Sequence, residues 1–304
     1  MTVETGVLVE TRLDSTPSRS SGFITSKDGT TLGYSQVGHG PALVLLHGTM
    51  VAARDFTQLS DALADTFTVY SLDRRGRGLS GPYLRGHGMA QEVEDLAALC
   101  ARTGARNVFA VSLGGLIALQ AALAGLDVDK MALYEPALLG DAAPWLAQID
   151  RYDREMREGR VAEALVTSLK VTRIGGPMLD LLPRSLVVRM TLKAMAAEDA
   201  RAHPGDVTMR RLAPTFHYDA RLILSAAGKA QTLRAVRVPV LLLGGTRSPR
   251  WLRSALDSAA RVLPNAQRVV FPGLNHGGAT NVSMMNRTGN PQLVARELKR
   301  FFAS

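Results

Sequence analysis

Ser112 is the residue of this chain whose type and setting best suit catalysis. It lies in the segment VSLGG at 111–115, between an apolar run that predicts a buried strand and an apolar run that predicts a helix. A sharp turn from strand to helix exposes a serine hydroxyl at the edge of a sheet, and small neighbours let strand and helix pack closely. Ala110 stands where this turn usually carries glycine. The segment predicts a nucleophilic serine; a helix N-cap is the alternative role.

Two backbone groups would complete the chemistry of such a serine. His47 and Gly48 follow directly after the apolar run ALVLL, and Thr49 comes next. In enzymes with this arrangement, the N–H after the His-Gly pair and the N–H after the nucleophile bind the oxygen that gains charge in the tetrahedral intermediate. Thr49 and Leu113 are therefore the predicted oxyanion donors. An ordinary turn from strand to loop is the alternative for 47–49.

A serine hydroxyl needs a neighbouring base near neutral pH. His276 lies in the segment PGLNHG, directly after the last predicted strand, and so at the same edge of the sheet as Ser112. The other histidines are weaker choices, because His39 and His87 lie in glycine-flanked loops and His203 and His217 lie in a long helical insertion. His276 is the predicted base.

The acid that orients this histidine is absent from its usual place, because the segment GGTRSP at 244–249 contains no carboxylate. Asp257 lies several turns into the following helix and is predicted to be too far away. Asp73 opens the loop DRRGRG, which is typical of an architectural turn. Glu135 ends the strand before the insertion, so it can reach His276 and select its tautomer. The alternative for Glu135 is an ion pair with an arginine at the hinge of the insertion.

The elements that position these residues follow from the apolar pattern. Continuous apolar runs alternate with amphipathic helical spacings, which predicts a parallel, doubly wound α/β sheet. The alternation stops over 138–222, where helical spacings occur without a convincing strand. We predict a polar N-terminal arm (1–21), a core made of 22–137 and 223–304, and a helical cap (138–222). Ligands of open α/β sheets bind at the carboxyl ends of the strands, where such a cap would close the pocket.

The amino-acid composition limits the cellular location, the partners and the cofactors that we expect for this protein. The 304 residues are 46% hydrophobic, which suffices for a large core, and the single cysteine, Cys100, cannot form an internal disulfide. The start of the chain lacks a signal-peptide pattern, and no apolar run is long enough to span a membrane. The net charge of +9 is scattered and indicates a solvated surface rather than a nucleic-acid interface. We predict a cytoplasmic protein with no membrane or nucleic-acid partner, and with no cofactor or metal because no Cys/His ligand set clusters.

The motifs, taken in order, resemble those of the α/β-hydrolase superfamily. They cover nearly the whole chain after position 23 and consist of HG at 47–48, DRRGRGLS at 73–80, SLGG at 112–115, YEP at 134–136 and PGLNHG at 272–277. The resemblance implies a core sheet of about eight strands, an inserted helical cap, and the order nucleophile, acid, histidine. Some members carry the acid after the strand that precedes the cap, which favours Glu135. A serine nucleophile argues against the haloalkane dehalogenase and epoxide hydrolase branches.

The expected activity is hydrolysis of a carboxylic ester or thioester of a small apolar substrate through an acyl-enzyme. A non-hydrolytic enzyme (a lyase, cyclase or C–C bond-cleaving enzyme) and a ligand-binding protein with a vestigial triad remain alternatives, because the fold does not determine the reaction. The oligomeric state also stays open, with a homodimer as one arrangement. The apolar cap residues predicted to pack or to line the pocket are Trp145, Met156, Met178, Leu181, Leu182, Met190, Met195 and Phe216.

Overall fold

The computed structural model of the chain describes residues 17–176, 179, 181–203, 206–284 and 286–303. Met178 of the predicted cap and residues 1–16 of the predicted arm lie outside this part of the chain.

Eight strands form a single sheet, and they are β1 (Arg19–Thr25), β2 (Thr31–Val37), β3 (Ala42–Leu46), β4 (Thr68–Leu72), β5 (Asn107–Val111), β6 (Lys130–Tyr134), β7 (Val240–Gly245) and β8 (Ala266–Phe271). Their spatial order is β1-β2-β4-β3-β5-β6-β7-β8. β2 is antiparallel to both β1 and β4, whereas all the other neighbours are parallel. The predicted α/β fold with a mostly parallel eight-stranded sheet is confirmed.

The described helices are α1 (Thr57–Leu63), α2 (Met89–Thr103), α3 (Leu113–Leu123), α4 (Ala143–Arg157), α5 (Val161–Thr172), α6 (Arg184–Asp199), α7 (Met209–Leu212), α8 (Thr215–Ser225), α9 (Arg250–Val262) and α10 (Pro291–Ala303). Two short 3-10 helices span Ala53–Phe56 and Ala230–Ala235. None of the helices in the described ranges is long and apolar enough to cross a membrane.

The central strands are apolar along their whole length because helices cover both faces of the sheet. In β3, Leu43 and Leu45 belong to the cluster that also contains α1 and α10 side chains, whereas Val44 and Leu46 belong to the cluster with α2, α3 and α9. This alternation follows from the two-residue period of a strand. It buries both faces and leaves the carboxyl ends of the strands as the place for a site.

The segment between β6 and β7 carries α4 to α8, and the structure gives no strand to the residues that it describes there. Helix α4 packs on the core through Trp145 and Tyr152, and α8 does so through Phe216, whose ring lies 4.8 Å from that of Tyr152 between centroids. The cap boundaries at 138 and 222 stay a prediction.

The predicted end of the N-terminal arm at residue 21 is wrong by three residues, because β1 already begins at Arg19. Arg19 pairs with Val37 in the hairpin, and its guanidinium lies 2.6 Å from Asp61 on α1. These contacts order a polar segment that composition alone indicates to be flexible.

Candidate active site

Ser112 occupies a strained turn between β5 and α3. Its backbone has φ 55° and ψ −119°, a region that costs a residue with a side chain on the order of 1–3 kcal/mol. The turn is held because Ser112 N–H donates to the carbonyl of Tyr134, and its own carbonyl accepts from the N–H groups of Leu116 and Ala137. The Ser112 side chain makes no helix-capping hydrogen bond. The alternative role of an N-cap therefore lacks its defining contact.

Small residues surround this turn because the backbone segments approach closely. A Cβ on Gly48 would lie 2.7 Å from Ser112 Cβ, and one on Gly114 would lie 2.5 Å from the carbonyl oxygen of Leu46. Both distances are shorter than real Cβ contacts allow. Ala110, the departure from the usual motif, is fully buried within β5, and its methyl group joins the core. Glycine is therefore required at positions 48 and 114, whereas alanine is accommodated at position 110.

The two predicted oxyanion donors belong to the loop after β3 and to the first turn of α3. Leu113 is the first residue of α3, so its N–H has no acceptor within the helix. The carbonyl of Gly48 accepts from His47 Nδ1 at 3.0 Å and, at longer distance, from the guanidinium of Arg77 at 3.4 Å. In a trans peptide the next N–H points opposite to that carbonyl. The N–H of Thr49 is thus directed away from the arginine.

His276 and Glu135 are brought together. His276 Nδ1 lies 2.7 Å from Glu135 Oε2, and the other oxygen of Glu135 accepts from the backbone N–H of Gly245 at 2.8 Å. Glu135 is fully buried and has a positive φ of 47°. A hydrogen on Nδ1, assigned from this contact, leaves Nε2 as a proton acceptor.

Glycines at the end of β7 make room for the Glu135 carboxylate. A Cβ on Gly244 would lie 3.1 Å from Glu135 Oε1, and Gly245 supplies the hydrogen bond described above. Segment 244–249 has no carboxylate of its own. The carboxylate of Glu135, which follows the neighbouring strand β6, lies against its glycines instead. The Gly-Gly pair after the apolar run is the sequence signal for this arrangement, and sequence reasoning did not use it.

The two rival acids have other partners. Asp257 pairs with Arg268 at 2.7 Å on a partly exposed surface. Asp73 accepts from the backbone N–H groups of Ala53 and Leu79, and burial raises the pKa of Asp73. Neither carboxylate makes a described contact with His276. The backbone hydrogen bonds of Asp73 hold its loop in place, which is an architectural role.

A buried ionic cluster beneath the cap was missed by sequence reasoning. Arg74 binds Glu92 through two nitrogens, at 2.8 and 2.6 Å, and also lies 3.0 Å from Asp219 of α8. Arg77 lies 3.2 Å from the same Asp219. Burial alone would raise the pKa of Glu92, but attraction to Arg74 holds it far below its usual value. We call Arg74, Arg77, Glu92 and Asp219 the buried ionic cluster.

The cluster connects the predicted cap to residues 47–49, which we call the oxyanion loop after its predicted donor, Thr49. Asp219 comes from the insertion, whereas the guanidinium groups of Arg74 and Arg77 reach the carbonyl of Gly48 at 3.5 and 3.4 Å. His47 joins them, because its Nε2 accepts from the backbone N–H of Arg74 at 3.1 Å. Burial, followed by repulsion from the two arginines, lowers the pKa of His47 well below 6.5. Neutral His47 and the cluster thus hold the peptide that precedes Thr49.

Two adjoining cavities lie at this edge of the sheet. The larger, of about 980 Å³, lies between the cap and the core, with Trp145 and Trp251 in its wall. The smaller, of about 590 Å³, reaches His276. Both include Arg173 and Arg250, so they adjoin at these side chains. Among the described wall residues of the two cavities His276 is present and Ser112, which is only 6% exposed, is not.

The predicted cap residues divide between packing and surface. Trp145 lines the larger cavity, whereas Met195 and Phe216 are buried in packing, and Leu181 and Met190 are exposed. Among the described residues, no group of three or more His, Cys, Asp and Glu side chains could hold a metal ion.

Comparison with known proteins identifies the family. Residues 43–297 match the model of the alpha/beta hydrolase family. This chain belongs to that family. As an alpha/beta hydrolase it is an enzyme of the hydrolase class, which agrees with the motifs of the sequence and with the sheet.

Individual relatives are similar along nearly their whole length. The chain is 26% identical over 276 residues to a non-heme haloperoxidase of Rhodococcus erythropolis, covering 85% of this chain and 93% of that protein. It is 26% identical over 269 residues to a pimeloyl-[acyl-carrier protein] methyl ester esterase of Xanthomonas campestris, covering 88% and 97%. A crystal structure of an alpha/beta hydrolase from Sphaerobacter thermophilus superposes with a TM-score of 0.73 at 29% identity, covering 92% of this chain and all of that one.

Proposed function

We propose that this alpha/beta hydrolase cleaves a carboxylic ester or thioester through an acyl-enzyme on Ser112. The observation that carries the proposal is the contact between His276 and Glu135 at the sheet edge where the strained Ser112 turn lies. A histidine held by a buried carboxylate through Nδ1 has the tautomer that accepts a proton at Nε2. The esterase among the relatives supports an ester as the substrate.

In the proposed reaction, Ser112 Oγ attacks the carbonyl carbon while His276 Nε2 takes the hydroxyl proton. The carbonyl oxygen gains the charge, and the N–H groups of Thr49 and Leu113 bind it. Collapse of this intermediate breaks the bond to the leaving group, which receives the proton from His276. Water, deprotonated by His276, then attacks the acyl-enzyme; the bond to Ser112 Oγ breaks, Oγ takes the proton from His276, and the acid and free Ser112 result.

The substrate that we propose is a small molecule with an apolar segment. The larger cavity supports this because Leu138, Leu139, Trp145 and Trp251 contribute apolar surface to its wall. We also propose that the protein works in the cytoplasm, which is supported by the absence of any need for a disulfide, since Cys100 is buried and single.

Labelling with a fluorophosphonate tests the proposal, with intact mass as the readout. Wild type should gain a single adduct, Ser112→Ala should gain none, and His276→Ala should react far more slowly. Ser254→Ala is the matched control, because Ser254 lines the larger cavity and is exposed, and its removal should leave labelling unchanged. Absence of an adduct on folded wild type, or an adduct that persists in Ser112→Ala, would overturn the proposal.

A further inference from the structure

The smaller cavity, which reaches His276, is strongly basic. Its wall carries Arg173, Arg247, Arg250 and Arg253, and its described wall contains no aspartate or glutamate. None of the four guanidinium groups makes an ion pair or a side-chain hydrogen bond with the residues that the structure describes. The charge of this wall is therefore not compensated by a carboxylate of the described chain.

The start of α9 adds uncharged donors to the same wall. Ser248 is only 4% exposed, and its Oγ is buried without a hydrogen-bond partner in the described chain. Arg250, which lies in this wall, is the first residue of a helix of 13 residues, so its backbone N–H has no acceptor within that helix. A buried hydroxyl without a partner is costly unless a ligand completes it. Free N–H groups and the positive end of a helix favour an anion at the same place.

The loop after β7 contributes cations but no carboxylate to this wall. The loop after β7 is the usual place of the acid, and here it reads Thr246-Arg247-Ser248-Pro249 after the two glycines. Glu135, directly after β6, supplies the carboxylate instead and is fully buried. The β7 loop is thus free to present cations to the cavity without a neighbouring carboxylate in the described wall to neutralise them.

We propose that the smaller cavity binds an oxyanion carried by the substrate, a carboxylate or a phosphate, next to the ester or thioester that His276 helps to cleave. Arginine suits this ligand because its planar guanidinium matches the oxygens of both groups. The inference rests on the proposed function. It gives the substrate two parts: an apolar segment against the larger cavity and an anionic group among the arginines where the cavities adjoin.

Two pairs of substrates test the inference. The p-nitrophenyl monoester of adipate and p-nitrophenyl hexanoate differ by a carboxylate on the acyl side. Hexanoyl phosphopantetheine and hexanoyl pantetheine differ by a phosphate on the leaving group. The charged member of at least one pair should have a kcat/KM about tenfold higher or more, and added salt should reduce that preference. Which pair responds identifies the source of the anion. Equal kcat/KM within both pairs would overturn the inference.

Arginine variants test whether the preference for a charged substrate arises in the smaller cavity. Arg247→Gln and Arg250→Gln should lower kcat/KM for the charged substrate about tenfold more than for its neutral partner. Arg261→Gln is the control, since Arg261 lies on the same helix about 16 Å further along and outside both cavities. It should leave both values unchanged. An equal loss for charged and neutral substrates would mean that the arginines support the fold rather than an anion.

A binding measurement tests the anion site independently of the proposed hydrolysis. Calorimetry of Ser112→Ala with monomethyl adipate, and of the same variant with Arg247→Gln added, requires no hydrolysis. Binding that weakens about tenfold on loss of the arginine supports the anion site even if wild type hydrolyses nothing, which would refute only the proposed function. In the opposite outcome, wild type hydrolyses hexanoate esters, but neither the carboxylate nor the phosphate binds or increases the rate. That result would support the proposed function and overturn the anion site.

Discussion

His276 Nδ1 and Glu135 Oε2 lie 2.7 Å apart although 141 residues separate them in the chain. Glu135 directly follows β6 and His276 follows β8, so the contact spans β7, which lies between these two strands in the sheet. It is made possible by the glycines at the end of β7, because a side chain at Gly244 would lie against the carboxylate. The carboxylate that contacts His276 therefore follows β6, one strand away from the β7 loop where sequence analysis expects an acid.

Replacing Glu135 tests that assignment. Glu135→Gln keeps the shape of the side chain but removes the charge that holds the tautomer of His276, so kcat should fall by about a thousandfold or more. Asp257→Asn is the matched control, because Asp257 makes a surface pair with Arg268. Its kcat should stay within about twofold of wild type, since an exposed pair contributes little. Steady-state kinetics with a p-nitrophenyl ester measures both, and equal effects would refute the role of Glu135.

The close approach of Gly48 to Ser112 predicts a second effect. Gly48→Ala would place a methyl group 2.7 Å from Ser112 Cβ and 3.0 Å from the carbonyl of Val111. Separating these segments shifts the oxyanion loop, so kcat should fall on the order of a hundredfold. Gly88→Ala is the control, because its nearest contact is an ordinary 3.7 Å to Gln91. Thermal unfolding should show that both variants fold; an active Gly48→Ala enzyme would contradict the expected geometry.

Asp219 should matter to both stability and catalysis. Asp219→Asn leaves Arg77 without its buried carboxylate, which should destabilise the fold by about 3 kcal/mol or more. The Gly48 carbonyl then loses ordered donors, so kcat should fall as well, and urea unfolding with kinetics measures the two effects.

Asp206→Asn is the control, because Asp206 also pairs with the core, through Arg54 at 2.7 Å, but in an exposed position. Its loss should cost less than about 1 kcal/mol. Comparable losses in the two variants would contradict the importance of the buried ionic cluster.

The buried, neutral His47 predicts how stability depends on pH. Its pKa is lowered by burial from the ordinary 6.5, so below this pH the unfolded chain binds a proton that the folded protein does not. Stability should therefore decrease as pH falls below 6.5, by up to about 1.4 kcal/mol per pH unit from this group. Above that pH the histidine has no such effect.

Urea unfolding at about pH 7.5 and about pH 5.5 measures this dependence. His47→Gln should be less stable at the higher pH, because it disturbs the contacts to Gly48 and Arg74, but it should lose less stability on acidification than wild type. His39→Gln is the control, since His39 is exposed in its loop, and it should keep the full dependence. The same slope in His47→Gln and wild type would refute the assignment.

Local patterns predicted much of this architecture. The apolar runs at Ala42–Leu46, Asn107–Val111 and Lys130–Tyr134 are strands, because runs of this length suit a strand buried on both faces. The predicted end of the N-terminal arm was misplaced, since the polar residues at the start of β1 are ordered by the contacts of Arg19 with another part of the chain. Asp219 had no signal at all, because one aspartate in a helical pattern looks like any solvated charge until its partners are known.

By itself, the sequence determined the succession of strands and helices and placed Ser112, Glu135 and His276 after strand ends. Those properties depend on the periodicity of burial and on backbone sterics, which act over neighbouring residues. Only the tertiary structure decided that Glu135 contacts His276, that Asp219 joins the cap to the oxyanion loop, and that the arginines beside His276 have no carboxylate partner in the described chain. These are distances between side chains far apart in sequence, which depend on strand order and on how the insertion packs against the sheet.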